Sequence, residues 1–243
     1  MENIDYKHQD YNIRSNDPYA MAKYEIILNW LPTKSGLRIL NAGCGSGEMN
    51  ILLARNSDWV VDAIDIDLEA VNQSQKLKEE FGAKNLTIAL SSIEDHEPDL
   101  PYDVIISNDV LEHIEHPEIT VAKMASMITS DGVLYVTVPA MQWLFGYHDE
   151  MLGHYRRYNK SMMTQLLSPF FERERCRYFG AGLIPIALMY SKWLRKAYPV
   201  GKQGKTSLLG RALAAILGLE KQIAFPLGTS LIVSAYPKNK GNL

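Results

Sequence analysis

Short apolar segments that alternate with helical segments constrain the fold of this 243-residue chain more than any other feature. Five such segments occur before residue 140: 38–41, 59–65, 86–90, 102–107 and 133–138. Strands that alternate with helices of about 10–15 residues predict βαβ units and a parallel sheet. The segments are continuously apolar, which indicates that helices cover both faces of the sheet. The predicted fold class is therefore α/β.

The remaining elements follow from capping residues and periodicity. Asp17 and Pro18 begin a helix that Pro32 ends, and Asp67 caps a helix that ends at Gly82. Further helices are predicted over 48–56, from Pro117 to about 130–132, over 161–167 and over 206–218. Residues 140–160 are predicted as a long loop, and strands are predicted over 171–179 and, antiparallel, over 230–236. We expect a single domain over 1–243, with an N-terminal helical cap over 1–35 and an apolar, basic insertion over 181–225 before the last strand.

A glycine-rich turn directly follows the first strand, where a parallel sheet binds its ligands. Gly43, Gly45 and Gly47 permit close approach of a ligand to the backbone. Asp65 ends the second strand about 20 residues further on, where a carboxylate can accept hydrogen bonds from a ribose diol. A dinucleotide is the alternative ligand, but its glycines are spaced G-x-G-x-x-G and Glu48 would repel a pyrophosphate. A cofactor without phosphate fits this turn better.

Three motifs resemble those of class I S-adenosylmethionine-dependent methyltransferases, in the ubiquinone-biosynthesis-like branch. They are Ile39–Gly47, Ala63–Asp67 and Asp103–Ile114. The resemblance implies a Rossmann-like, seven-stranded, mostly parallel sheet and S-adenosylmethionine as cofactor, with S-adenosylhomocysteine as product. It also implies that amides near Gly43 and Gly45 hold the amino acid part of the cofactor, that Asp65 holds the ribose and that Ile66 packs on the adenine. The full set of implied cofactor residues is Asn41, Gly43, Cys44, Gly45, Asp65, Ile66, Ser92, Ile93, Asn108, Asp109, Val110 and His113.

The chain departs from the family pattern at two places. Asn41 stands where family members usually carry Asp, and Ser91-Ser92 stand where many have Asp after the third strand. Asparagine can both donate and accept, and serine can accept a hydrogen bond from the adenine amino group.

A cluster of histidines and arginines follows the fifth strand, in a segment that resembles a G-H-x-R-R-Y signature of bacterial methyltransferases. His148 or His154 is the predicted general base, because the unperturbed pKa of histidine is near neutral. Arg156, Arg157 and Tyr158 are predicted to bind the acceptor, since the guanidinium matches oxygen and anionic groups. The alternative is structural: Asp149 and Glu150 pair with Arg156 and Arg157 to lock the loop.

The segment 181–225 combines apolar residues with seven cations against one acid, Glu220. Basic amphipathic segments with an aromatic residue such as Trp193 can lie on anionic membranes. The segment therefore predicts contact with a membrane surface or a lipid-linked acceptor. A lid over an apolar acceptor and a dimer interface are equally compatible with this pattern.

The expected function is methyl transfer to an oxygen, most simply a hydroxyl of a small molecule or sugar. The alternatives are N-methylation of a small amine, a nicotinamide-dependent oxidoreductase and a catalytically silent cofactor-binding module.

The net charge of −3 favours no nucleic acid partner, and we expect no metal because no ligand set has a suitable spacing along the chain. No signal peptide and no run of about 18 apolar residues is visible, so we expect a cytoplasmic protein, with peripheral contact at the inner membrane face as a further expectation. Tyr6, Tyr11 and Tyr19 suggest an N-terminal lid over the cofactor.

Overall fold

The computed structural model describes residues 17–196 and 208–238. The strands are β1 (Arg38–Ala42), β2 (Val60–Asp65), β3 (Leu86–Leu90), β4 (Tyr102–Asn108), β5 (Ile128–Pro139), β6 (Phe171–Phe179) and β7 (Ser230–Pro237). The helices are α1 (Pro18–Trp30), α2 (Glu48–Ala54), α3 (Leu68–Phe81), α4 (Pro117–Met127), α5 (Tyr147–Leu152), α6 (Lys160–Leu167), α7 (Ile184–Ala187) and α8 (Leu208–Gln222). Single 3₁₀ turns occur at Leu111–His113, Gln142–Leu144 and Ala181–Leu183, and a π-helical turn at Leu188–Leu194.

The seven strands form one sheet in the order β3-β2-β1-β4-β5-β7-β6. Strands β1 to β5 pair in parallel, whereas β7 is antiparallel to both β5 and β6. This confirms the predicted α/β class, the seven strands and the antiparallel last strand.

Helices cover both faces of the sheet, as the continuously apolar strands predicted. Adjacent residues of β1 point to opposite sides: Ile39 joins a core cluster with Ile27 and Met49, and Leu40 joins another with Val121 and Met124. All six side chains are buried. The ends of β1 and β4 are thereby held rigidly between the two layers.

The predicted helix caps are confirmed. The Asp17 carboxylate accepts a hydrogen bond from the Tyr19 amide at 2.9 Å, and the Asp67 carboxylate accepts one from Glu69 at the same distance. Gly82 ends α3 in the left-handed conformation. These short-range signals set the boundaries because each requires only its own neighbours in the chain.

Two predicted boundaries are wrong. Helix α4 ends at Met127 rather than near 130–132, because Ile128 already pairs with Tyr102 and a register shift follows between Tyr102 and Val104. Residues 140–160 are not a plain loop: they contain the turn Gln142–Leu144 and helix α5. Helix α5 ends at Gly153, which adopts the left-handed conformation.

The segment before β7 is largely helical where it is described, and its last helix, α8, runs from Leu208 to Gln222, past the predicted end at residue 218. Of the predicted apolar face of this helix, Leu217 is buried, but Ile216 is largely exposed. Within residues 17–196 and 208–238, no helix has the length and apolar character needed to cross a bilayer. The predictions of one domain over 1–243 and of a cap over 1–35 extend beyond the described residues and stay predictions.

Candidate cofactor and acceptor site

The glycine turn lies at the carboxyl end of β1, and its three glycines all have positive φ, at 78°, 53° and 96°. A Cβ atom on Gly43 would lie 2.3 Å from Val110 Cγ2, and one on Gly47 would lie 2.4 Å from Ser74 Oγ. Glycine is therefore required at both positions by conformation and by packing. Val110, a predicted cofactor residue, forms one wall of this turn.

The amides of the turn are already hydrogen bonded within the protein, which differs from their expected role. The Gly43 and Cys44 amides both donate to the Ile64 carbonyl at 2.9 Å, and the Gly45 amide donates to Asp65 Oδ2 at 2.8 Å. Recognition of an amino acid group must therefore rely on other atoms in this turn.

Asp65 lies at the end of β2 with its carboxylate held by two amides. Besides Gly45, the Asp67 amide donates to its Oδ1 at 2.9 Å. Burial raises the pKa of Asp65, against these hydrogen bonds. Ile66 beside it is 77% exposed, so its side chain is open to a ligand. Asp65 ends β2 as the sequence predicted, and its contact with a ribose remains a prediction.

Two buried asparagines provide the missing polar atoms at the amino acid end. Asn41 and Asn108 line one cleft together with Gly43, Gly45 and Tyr24. Among the described residues, Asn41 Oδ1 and Asn108 Nδ2 are buried without a hydrogen-bond partner. One is an acceptor and the other a donor, as the ammonium and carboxylate groups of an amino acid require. Such atoms are costly unless a ligand pairs with them, and they support the fit of the predicted cofactor.

A polar chain fixes Asn41 and explains how asparagine replaces the usual aspartate. Asn41 Nδ2 donates to Asn50 Oδ1 at 2.7 Å, and Asn50 Nδ2 donates to Ser74 Oγ at 2.8 Å. The hydrogen bond to Asn50 requires a donor at position 41. The amide group of asparagine supplies it, and an ionised aspartate could not. Cys44 also lines the cleft, and burial raises the pKa of its thiol to about 12, so it is neutral.

An ion pair that no sequence pattern predicted lies at the edge of the cleft. Lys23 of α1 is only 4% exposed, and its ammonium group pairs with the Asp109 carboxylate. Burial alone would lower the pKa of Lys23, but the Asp109 charge outweighs it and the pKa is raised. Asp109 itself adopts a positive φ of 53°. A single lysine on the buried face of an otherwise apolar helix was the available signal.

The predicted N-terminal lid is described only at Tyr19, and Tyr6 and Tyr11 lie outside the described residues. The Tyr19 hydroxyl hydrogen bonds to Thr229 and Ser230 at 2.7 Å, and its ring stacks on Phe179. Tyr19 therefore anchors α1 to the start of β7.

The predicted adenine edge is arranged differently from the expectation. Ile93 is buried in the core, so its side chain does not face the cleft. The Ser92 hydroxyl donates to Asp95 Oδ2 at 2.7 Å and accepts from the Asp95 amide at 3.0 Å. The exposed Asp95 therefore places a carboxylate beside Ser92, five residues after the end of β3.

The acceptor side is organised around Asp149, which is fully buried on α5. His154 Nδ1 lies 2.9 Å from Asp149 Oδ1, Arg157 Nε donates to the same oxygen at 2.8 Å, and the Gly146 amide donates to Oδ2 at 3.0 Å. Burial would raise the pKa of Asp149, but His154 and Arg157 overcome it and lower the pKa to about 2. The pairing of Asp149 with Arg157 is the structural alternative that the sequence left open.

His113 and Glu112 meet His154 on its other side. The ring of His113 packs edge-on against that of His154, with centroids 4.6 Å apart. Glu112 is fully buried, and donor atoms of Glu112, His113 and His154 lie within 4.8 Å of one another. These are the described residues that could hold a metal ion. The expectation of no metal rested on spacing along the chain, which cannot reveal a set that folding brings together.

The other predicted acceptor residues separate into structural and accessible groups. Arg157 is buried and also donates to the Ala140 carbonyl, and the buried Tyr158 donates its hydroxyl to the Leu111 carbonyl. Both side chains are thereby engaged within the protein, and their contact with an acceptor stays a prediction. Arg156 is half-buried and donates to the Glu115 carbonyl. The His148 amide donates to Ser191, and its ring is not part of the His113–His154 cluster.

The geometry can now be set beside known proteins. Residues 33–179 match the model of a family described as a methyltransferase domain. The chain belongs to this methyltransferase family. The match decides between the methyl-donor cofactor and the dinucleotide, and S-adenosylmethionine is the cofactor of this methyltransferase.

Curated relatives of this chain have names that indicate different acceptors. The chain is 34% identical over 133 residues to a malonyl-[acyl-carrier protein] O-methyltransferase of Acetivibrio thermocellus, covering 52% of this chain and 46% of that protein. It is 26% identical over 132 residues to a probable (S)-tetrahydroprotoberberine N-methyltransferase 2 of Papaver bracteatum, covering 54% and 36%. Ubiquinone biosynthesis O-methyltransferases also match, for example that of Bradyrhizobium at 27% identity over 51% of this chain and 48% of that protein. The chain thus spans less than half the length of these curated relatives.

Solved structures share the fold. A SAM-dependent methyltransferase from Aquifex aeolicus superposes with a TM-score of 0.61 at 16% identity, covering 94% of this chain and 97% of that one. A coclaurine N-methyltransferase bound to N-methylheliamine and SAH superposes with a TM-score of 0.62 at 16% identity, covering 90% and 72%. At these identities the likeness shows the fold of the methyltransferase.

Proposed function

We propose that this methyltransferase transfers a methyl group from S-adenosylmethionine to a hydroxyl oxygen of a small molecule or sugar. The observation that carries the proposal is the buried Asp149 carboxylate hydrogen bonded to His154 Nδ1. An oriented histidine base benefits a hydroxyl acceptor, whereas an amine already has a free electron pair. The relatives do not decide the acceptor atom, because some are named O-methyltransferases and others N-methyltransferases.

The chain's own residues divide the work between binding and proton transfer. Asn41 and Asn108 hold the amino acid group of the cofactor, and Asp65 holds its ribose. When bound, the cofactor supplies a methyl group on a positively charged sulfur. The protein holds the acceptor oxygen in line with that methyl group, which can contribute roughly 7–11 kcal/mol to lowering the barrier.

His154 receives the acceptor proton. Because Nδ1 donates its proton to Asp149, Nε2 carries the lone pair that accepts the proton of the hydroxyl. The bond between oxygen and the methyl carbon then forms as the bond between carbon and sulfur breaks. The negative charge of Asp149 stabilises the imidazolium that results. Of the predicted arginines, Arg156 rather than Arg157 is placed to contact an anionic acceptor.

The cofactor is tested by calorimetric binding of S-adenosylhomocysteine, with NAD as control and Asp65→Ala beside the wild type. We expect micromolar binding that Asp65→Ala weakens by at least tenfold. Binding of NAD instead would contradict the assignment of the cleft.

The reaction is tested with His154→Ala and, as the matched variant, His148→Ala, against hydroxyl and amine acceptors. We expect His154→Ala to lower kcat by roughly 10²–10⁴-fold on a hydroxyl acceptor, the usual contribution of a general base. His148→Ala should change it less than fivefold. Turnover on amines alone favours N-methylation, and binding without turnover on either class favours a silent module.

A further inference from the structure

Five consecutive exposed residues, Lys192–Lys196, form a tip on the surface of the protein where the π-helical turn ends. Trp193 is 82% exposed, the most of any large apolar side chain among the described residues, and Leu194 is half exposed. Met189 is also exposed, near the start of the same π-helical turn. Three exposed apolar side chains within six residues indicate a surface that a partner covers, whereas a single exposed tryptophan would not.

The charge around this tip has one sign. Lys192, Arg195 and Lys196 surround Trp193 and Leu194, and residues 181–196 contain no acid. Arg195 lies 3.5 Å from Glu150, in a pair whose side chains are both exposed. Lys192 and Lys196 form no ion pair within the described residues. The tip therefore offers two cations to an anionic partner.

The tip lies beside α5, the helix that carries Asp149. Ser191 is buried just before the tip, and its hydroxyl accepts a hydrogen bond from the His148 amide at 3.4 Å. A Cβ atom on Gly146 would lie 2.5 Å from Ser191 Oγ, so this turn and α5 pack closely. The Gly146 amide in turn holds Asp149, which orients His154. The tip is therefore connected to the proposed base, His154, through Ser191, Gly146 and Asp149.

We propose that the Lys192–Lys196 tip docks the enzyme on an anionic lipid bilayer and that the acceptor hydroxyl belongs to a lipid-anchored molecule. The tip presents a tryptophan and a leucine, far less than the roughly 800 Å² per partner that a stable protein interface buries. A bilayer needs less, because the ring enters the headgroup region while the lysine ammonium groups stay at the anionic surface. The docking stands by itself, whereas the lipid-anchored acceptor rests on the proposed function.

Docking is tested by flotation of the full chain with phosphatidylglycerol–phosphatidylcholine vesicles at low salt, and with pure phosphatidylcholine vesicles as the neutral probe. We expect flotation with the anionic vesicles only, and its loss as salt is raised. Replacing Lys192 and Lys196 by Gln should lower the partition coefficient roughly thirtyfold, at about fivefold per cation. Trp193→Ser should lower it at least fivefold.

The matched control carries Phe81→Ser with Lys76→Gln and Lys84→Gln, an exposed aromatic residue and two exposed lysines at the end of α3. It should float like the wild type. No flotation of the wild type at low salt overturns the proposal, as does equal loss in the control. Lipid-independent self-association that Trp193→Ser abolishes also overturns it, because the tip then serves a second copy of the chain.

The acceptor is tested with methyl-labelled S-adenosylmethionine and separate membrane-lipid and soluble-metabolite extracts. We expect label in the lipid extract, reduced at least fivefold by Trp193→Ser, which should leave S-adenosylhomocysteine binding unchanged. Label in the soluble extract alone overturns the lipid-anchored acceptor but not the proposed function. Label in neither extract contradicts the proposed function, while flotation still reports on docking.

Discussion

Gly47 shows how one residue can serve the backbone, the packing and the cofactor cleft together. It caps α2 at φ 96°, and an added Cβ would lie 2.9 Å from the backbone of Ser74 as well as close to its hydroxyl. Ser74 ends the polar chain that fixes Asn41. A side chain at position 47 therefore disturbs an atom that the proposal assigns to the cofactor.

We expect Gly47→Ala to lower the free energy of unfolding by roughly 2–5 kcal/mol, since backbone strain adds to overpacking. It should also weaken S-adenosylhomocysteine binding. Thermal melts and calorimetry check both effects. Gly82→Ala is the control, because Gly82 also has positive φ but an added Cβ would meet nothing within 4 Å. Equal losses in the two variants would show that packing against Ser74 is unimportant.

Asp149 gives the protein a definite acid sensitivity. Its pKa in the folded protein is about 2, below the ordinary value of 3.8, so its ionisation favours the folded state. This contribution is fully present above about pH 4 and is lost as the pH falls from about 4 to about 2. We expect it to amount to roughly 2 kcal/mol. Urea unfolding of the wild type and of Asp149→Asn over this pH range checks this expectation. If the free energy of unfolding changed equally with pH in both proteins, the expectation would be contradicted.

At the scale of elements, α1 is tied to the end of β4 by the buried Lys23–Asp109 pair. Removing one partner of a buried pair leaves the other charge uncompensated. We expect Lys23→Met to destabilise the protein by roughly 3 kcal/mol, because Asp109, whose side chain is three-quarters buried, then lies beside an apolar side chain. Denaturant unfolding measures this change. Lys34→Met is the matched control, since its pair with Asp103 is exposed on the lysine side and should cost at most about 1 kcal/mol.

The segments between the elements decide where the acceptor side lies. Helix α5 and the π-helical turn come from distant parts of the chain, yet Gly146 and Ser191 bring them into contact. Residues 140–160 had the polarity of a loop, and only the contacts of Asp149 explain why they fold into a turn and a short helix.

At the scale of the whole molecule, cofactor binding should stabilise the fold because the cleft joins β1, β4 and α1. A ligand at one hundred times its Kd stabilises a protein by about 2.7 kcal/mol. For a chain of this length we expect S-adenosylhomocysteine to raise Tm by roughly 5–10 °C. Thermal melts with and without ligand measure the shift, with NAD as control. A Tm that NAD raises as much would contradict a selective cleft.

Local patterns in the sequence were enough for the sheet, the helix caps, the glycine turn and Asp65, because each depends on neighbouring residues or on strand order. Asp17, Asp67 and Gly82 act within one helical turn of themselves. Parallel strands bring their carboxyl ends to one edge, so the position of the cofactor cleft followed from the order of elements. Asn41 and Asn108 line this cleft, but their contact with the cofactor stays a prediction, and the amides of the turn are occupied by bonds within the protein.

Tertiary structure alone decided which polar residues act on a ligand and which hold the fold. His148, His154, Arg156 and Arg157 are equivalent in a sequence window, yet the buried carboxylate of Asp149 orients one histidine and one arginine and leaves the others outside this cluster. Lys23 meets Asp109, and Glu112 and His113 meet His154, across long separations in the chain. Burial and charge pairing depend on what folding brings within a few ångströms, and no spacing in the sequence encodes that distance.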